Sequence, residues 1–273
     1  MKSAVGFLSD DLARQMSYVY LAFQLVSVFA TTIFSTPLIH WLEKTFPPAK
    51  HEELSQPQYL YDQAIGEPQS ALDLVEKEQL RVMKFLPDYL NRVRKDPGQS
   101  SIEFEVLQKS SQTLLKRIDL FLMDLMNQVP SRDSLERGIH IQNRNGLILS
   151  LSETLAEWVR SNAPFLNTPK LSDLIYSLSE ALHFILISLE DTMQSLDPED
   201  LKILLRLTED RGQMMEEMRK KRFSEEEAFS YENQQAIYSM TSLFERSVWL
   251  VRRIVLLLPG DELSFVHPPL TNP

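Results

Sequence analysis

The chain has 273 residues, a formal net charge of −10, 7 glycines and no cysteine. An acidic surface repels phosphate backbones, which argues against nucleic acid as a partner. Scarce glycine argues against a β-rich or phosphate-loop protein, and the missing cysteines remove disulfides, thiolate metal sites and thiol catalysis, as suits a domain facing the cytoplasm.

From Gln15 to Leu42 the run "QMSYVYLAFQLVSVFATTIFSTPLIHWL" holds no Asp, Glu, Lys or Arg. As a helix, these residues would span roughly 42 Å, against about 30 Å of membrane hydrocarbon. The run is too long for a signal peptide and continues into "HWLEKTFPPAK" without a cleavage pattern. A core helix of a soluble domain is usually shorter and keeps a polar stripe. Tyr18 and Tyr20 lie near one end and His40 and Trp41 near the other, where aromatic residues with a polar tip prefer to sit at the two interfaces. Phe23, Leu25, Val26, Val28, Phe29, Ile33 and Phe34 lie between them, and Pro37 bends or ends the helix. Gln24, Ser27, Thr31 and Thr32 suit contact with other helices. Lys2 and Arg14 on one side balance Lys44 and Lys50 on the other, so charge sets no orientation.

A proline-rich, polar linker over 47–68 reads as irregular. Helical patterns follow. The first covers 69–95, with Leu72, Val75, Val82, Leu86, Leu90 and Val93 on one face and a kink expected at Pro87. The second covers 101–129, with Leu107, Leu114, Ile118, Phe121, Leu125 and Val129. The third covers 131–161, with Ile141, Ile148, Leu151, Leu155 and Trp158, and is weakened by the polar "QNRNG" at its middle. "NAPFLNTP" then breaks the chain. The fourth starts near Lys170 and carries Leu171, Leu174, Leu178, Ile185, Leu189 and Leu196. Asp197 caps a fifth, with Pro198 at its first position and Ile203, Leu204, Leu207, Met214 and Met218 along it. The capping box "SEEE" at 224–227 opens a sixth, which reaches Leu258 through Phe229, Ala236, Ile237, Met240, Phe244, Val251 and Val255.

Two segments, "SLSETLAEWVR" (150–160) and "SLFERSVWLVR" (242–252), share Ser, Leu, Glu, Val and Arg at the same spacing, near the ends of the third and sixth helices. They read as a weak internal duplication. The expected architecture is all-α: an N-terminal segment (1–46) with a transmembrane helix over 15–42, the linker, three-helix bundles at 69–162 and 168–258, and an irregular tail (259–273).

These features together resemble the C-terminal part of bacterial sodium/phosphate cotransporter family proteins, where a last membrane helix precedes a PhoU-like domain of two three-helix bundles. Ala13, Arg14, Phe23, Pro37 and Leu38 match the family's closing membrane stretch, while Tyr20 and Gln24 replace its His and Asn. Pro57, Tyr59, Leu60, Pro68, Ala71, Leu72 and Glu76 fit the passage after it. Family members carry two membrane repeats before this point, and one helix cannot enclose an ion path. The resemblance therefore implies no transport by this chain alone. It leaves open a separately encoded half that docks on transporter subunits, or a truncated product.

PhoU-like domains carry paired acidic residues four apart on the last helix of each bundle, linked with a divalent or iron-type metal. On that resemblance the candidate metal residues are Glu153 and Glu157 in the first unit and Glu245 in the second, where Trp249 takes the partner position. Glu153 and Glu157 have a bland alternative as a solvated face. Glu180 and His183 form one Glu-x-x-His, where a di-iron bundle needs two and further glutamates. The run Arg219–Arg222 suits either a phosphate or lipid-head patch or a helix C-terminus. Arg246, Arg252 and Arg253 share the last helix with its apolar face and could rim a contact surface.

No catalytic set, phosphate loop or zinc spacing is recognisable, so no enzyme is expected. The expectation is an inner-membrane, single-pass, PhoU-like regulatory or accessory domain of a sodium-dependent phosphate uptake system, its helical part in the cytoplasm. Its partners would be a transporter membrane subunit or further copies of itself. The rival readings are a soluble helical adaptor, in which 15–42 packs as a seventh helix, and a metal-dependent enzyme of the bundle type.

Overall fold

Side-chain periodicity of 3.6 dominates the sequence, and every described element of the computed structural model is helical. It describes residues 17, 20, 21, 23–29, 50–98, 102–128, 131–209, 212–224 and 231–259. Residues 1–49 and 50–273 form separate compact units.

In the first unit, residues 23–29 are helical. Tyr20, Leu21, Phe23, Leu25, Val26, Val28 and Phe29 are each more than half exposed. At 100° per residue they point to every side of the helix. The Gln24 amide donates to the Tyr20 hydroxyl one turn back, at 2.9 Å, and so finds a partner within the helix. The rest of the run read as a membrane helix, residues 15, 16, 18, 19, 22 and 30–42, lies outside the described residues.

The second unit opens with α1 (Lys50–Ser55) and a 3-10 turn (Asp62–Gly66). The linker expected to be irregular is thus partly helical, because the helix after it holds it down. In α2 (Pro68–Met83) the Glu78 carboxylate is fully buried. It accepts the Gln58 and Tyr59 amides at 2.9 Å each and meets Arg81 at 2.5 Å. Arg81 in turn donates to the Leu54 and Gln56 carbonyls at 2.8 Å.

The first long helical pattern is broken. Helix α2 stops at Met83, and a short α3 (Leu86–Tyr89) restarts with Pro87 in its first turn, followed by a 3-10 turn over Leu90–Arg92. A proline ring at 87 would collide with the Met83 carbonyl if the helix ran straight through. The apolar face survives the break: Leu72, Val75, Val82, Leu86, Leu90 and Val93 are all buried.

Helix α4 (Phe104–Asn127) and helix α5 (Arg132–Asn162) form a hairpin. The Ser131 hydroxyl caps α5 by accepting the Ser134 amide. Helix α5 runs unbroken through "QNRNG", against the expected weakening. Its Arg144 and Asn145 are buried, and they are polar because α2 presents polar groups to them. Gln79 donates to the Ile141 carbonyl at 3.0 Å and accepts from Arg144 at 2.8 Å, while Asn145 donates to the Leu115 carbonyl at 2.9 Å.

Helix α6 (Pro169–Ser195) ends at Leu196, which takes a left-handed φ of 52°. Asp197 caps α7 (Pro198–Leu207) by accepting the Glu199 amide at 2.7 Å. The single fifth helix of the sequence reading is two: α7 ends at Leu207, and α8 spans Gly212–Ser224. Thr208 turns its hydroxyl back onto the Leu204 carbonyl, and glycine at 212 is a poor helix interior. Ile203, expected inside, is exposed. Ser224 is the last described residue of α8, and the rest of the expected capping box lies outside the described residues. Helix α9 (Tyr231–Val255) completes the body.

Helices α2, α4 and α5 pack mutually, and α9 packs on α6, α7 and α8. The most extensive helix pair is α5 with α9. Trp158, fully buried, sits where α5, α6 and α9 meet: its indole N–H donates to Ser179 at 3.1 Å and its ring lies 6.5 Å from Phe244. Buried residues from Ala64 to Leu258 form one continuous apolar cluster. Helix α6 from Leu171 to Ser195 is long and apolar enough to cross a membrane, yet half of it is buried inside the body, as in a core helix.

Candidate functional site

From Tyr238 to its C-terminus, α9 carries an unusual surface for an acidic chain. On a helix, positions 238, 242, 246, 249 and 253 share a face. Here that face presents Tyr238, Arg246, Trp249 and Arg253, and both aromatic rings are more than half exposed. The Arg253 guanidinium lies 5.8 Å over the Trp249 ring, and that of Arg219, from α8, lies 5.7 Å over Tyr238.

Beside this face is a cleft of about 580 Å³ where the end of α7 and helix α8 meet α9. Met215, Phe244 and Val248 form its buried apolar floor. Arg246, Arg252 and Arg253 stand around it, with Trp249 as one wall. Arg252 donates to the Leu205 carbonyl at 2.7 Å, which anchors it across to α7. None of these three guanidiniums meets a carboxylate among the described residues. Glu245 lines the same cleft but is held by Arg219 at 3.4 Å, leaving Glu209 as the other acidic group there. The cleft can hold an anion at its mouth and apolar matter against its floor.

A second cavity, of about 440 Å³, lies between the start of α5 and the chain after α9, lined by Glu76, Asp133, Glu136, Arg137, His140 and Arg144 among others. Both of its arginines are held by acidic groups of α2. Arg144 pairs with Glu76 at 2.7 Å, and Arg137 reaches Glu76 at 2.7 Å and Asp73 at 2.6 Å. These bonds join α2 to α5 and give the cavity a structural reading. Sequence reasoning missed this network. The available signal was Glu76 and Gln79 breaking the apolar face of the first helix, with Arg144 and Asn145 breaking that of the third.

The sequence-predicted metal residues do not gather. Glu153 and Glu157 are exposed one turn apart on α5, and Glu245 is the Arg219 partner on α9. Among the described residues no group of three or more His, Asp or Glu side chains is placed to hold a metal ion. The Glu-x-x-His pair is tied up differently: Glu180 receives a two-pronged ion pair from Arg94, at 3.0 and 2.9 Å. Burial, and then the Arg94 charge, push His183 below its ordinary 6.5. Of the basic run, Arg219 serves Thr241, Glu245 and Tyr238, and Lys220 pairs with Glu216 at 2.6 Å. The side chains of Lys221 and Arg222 lie outside the described residues.

The two similar eleven-residue segments occupy the partners of the largest helix pair, α5 and α9. Leu151 and Leu243 are buried alike, as are Val159 and Val251. No protein-family model, curated protein or solved structure matches the chain.

Proposed function

We propose that the chain is a membrane-tethered, non-catalytic helical module that regulates or assists a transport system. Residues 15–42 form the tether, and the body from residue 50 on works at the cytoplasmic face of the inner membrane. The observation that carries this reading is the helix around 20–29, whose apolar side chains are exposed on every side. Leu21, Phe23, Leu25, Val26, Val28 and Phe29, each 53–68% exposed, would together gain on the order of 10 kcal/mol on leaving water. Lipid is the solvent that surrounds a rod from all sides at once.

In the body, α2, α4 and α5 stand as one three-helix unit, and α6, α7 with α8, and α9 as the second. The repeat shared by α5 and α9 supports that division. The phosphate-uptake assignment rests on the resemblance of residues 12–85 to the sodium/phosphate cotransporter family. The partner is then a transporter membrane subunit or another copy of the chain.

Alkaline carbonate extraction of membranes tests the tether. A spanning chain stays with lipid, and a chain released with the peripheral proteins belongs to the soluble adaptor reading instead. Sodium-dependent phosphate uptake in cells lacking the chain tests the assignment. The proposal expects altered rate or control of uptake, and unchanged uptake at both scarce and abundant phosphate removes the transport part.

A further inference from the structure

We infer that the cleft at the C-terminal half of α9 docks on anionic phospholipid headgroups. The inference rests on the tether proposed above, which would bring the body to a lipid surface. Three observations favour that occupant. Arg246, Arg252 and Arg253 converge on one cleft without a carboxylate partner among the described residues, in a chain whose net charge is −10. Such a chain is repelled by an anionic surface everywhere except at a local cationic cluster. Second, Trp249 stands exposed as one wall of the cleft with Arg253 stacked on it, and Tyr238 lies exposed about two turns further along the same helix, under Arg219. Amphipathic rings paired with cations are what the headgroup layer selects.

Third, the floor of Met215, Phe244 and Val248 is apolar. A fully hydrated inorganic anion gains nothing there and would lose water. The carbon atoms of a lipid headgroup can lie against that floor while the guanidiniums fork onto the phosphodiester oxygens. The docked body would lie with α9 along the bilayer surface, Trp249 at headgroup depth and Arg246 and Arg253 on phosphate.

The test uses the full chain assembled in nanodiscs of phosphatidylcholine alone, and of an equimolar mixture with phosphatidylglycerol. Each carries a trace of lipid spin-labelled at the headgroup. Quenching of Trp249 is isolated by comparing the chain with Trp249→Phe. Strong quenching is expected in the anionic discs and weak quenching in the neutral ones. Arg246→Glu with Arg253→Glu should lower the docked-to-undocked ratio by about tenfold or more. The milder pair Arg246→Gln with Arg253→Gln should give an intermediate loss, with unchanged circular dichroism. Equal quenching in both discs overturns the inference, as does indifference to both Arg pairs. Loss of quenching on adding inorganic phosphate at constant ionic strength also overturns it, since it would make the cleft a soluble-anion site. Failure to assemble into neutral discs is a separate result. It removes the tether, and quenching by anionic vesicles added from outside still decides the cleft.

Discussion

Replacing Glu78 tests how the body holds the chain that enters it. The carboxylate is fully buried and meets the Gln58 and Tyr59 amides and Arg81. Glu78→Ala leaves Arg81, a tenth exposed, with two carbonyls and no counter-charge. Breaking a buried ion pair by removing one partner costs about 3–5 kcal/mol. The two amides lie on exposed residues and can rehydrate, which places the effect near the lower end, at about 3 kcal/mol. For a body of this size that lowers Tm by roughly 6–12 °C. Glu78→Gln keeps a carbonyl acceptor for the amides and should cost about half as much. Arg81→Ala should cost less than Glu78→Ala, because both amides still hold the carboxylate. The double replacement should fall well short of the sum, since the groups act as one unit. Thermal unfolding followed by circular dichroism in mild detergent gives the energies, and hydrogen exchange at residues 54–59 gives the location. Glu78→Ala costing under about 1 kcal/mol, or exchange at 54–59 that does not rise, refutes the clamp.

Gly146 lies within α5 with nothing within 4 Å of where a Cβ would sit, so Gly146→Ala should stabilise by about 1 kcal/mol in the same melt. Leu196 holds a φ of 52° while half-exposed at the end of α6; Leu196→Gly should relieve that strain and stabilise by about 0.5–1 kcal/mol, and a loss instead would assign its side chain a packing role. His183 is held below its ordinary 6.5 by burial and the Arg94 charge, against the opposing pull of Glu180 and Asp88. Its neutral form is favoured in the folded state, so this contribution is whole above the ordinary value and is lost as pH falls through the lower, folded one. His183→Gln should therefore flatten the loss of stability that sets in as pH falls below the ordinary 6.5, relative to the unaltered chain.

The apolar faces were legible from spacing alone. Leu107, Leu114, Ile118 and Leu125 on α4, and Ile148, Leu151, Leu155 and Trp158 on α5, are buried where a period of 3.6 places them. Breaks were harder. Pro87 announced one, but its effect falls back at Met83, because a proline ring clashes four residues upstream. The division of α7 from α8 had only Thr208 and Gly212 to mark it. Polar residues misled most. "QNRNG" looked like weakness in a helix when it is half of a buried network whose other half, Glu76 and Gln79, is 65 or so residues earlier. Spacing on one helix cannot report a partner on another. The acidic metal residues failed to gather for the same reason: a four-residue interval fixes a shared face and says nothing about what approaches it. Arg246, Arg252 and Arg253 were visible as a group on one helix, but their cleft depends on Met215 of α8 and Glu209 after α7, which the sequence read as one continuous helix.

The central claim is that lipid surrounds the helix around residues 20–29. The absence of native cysteine permits a direct measurement: Val26→Cys in intact membranes, challenged with a water-soluble maleimide, beside Ser177→Cys at an exposed position of α6 as control. The account predicts that Ser177→Cys labels readily, while Val26→Cys stays unlabelled until mild detergent displaces the bilayer. Labelling of Val26→Cys in intact membranes at the control's rate would contradict it, as would protection that persists in detergent with the body still folded.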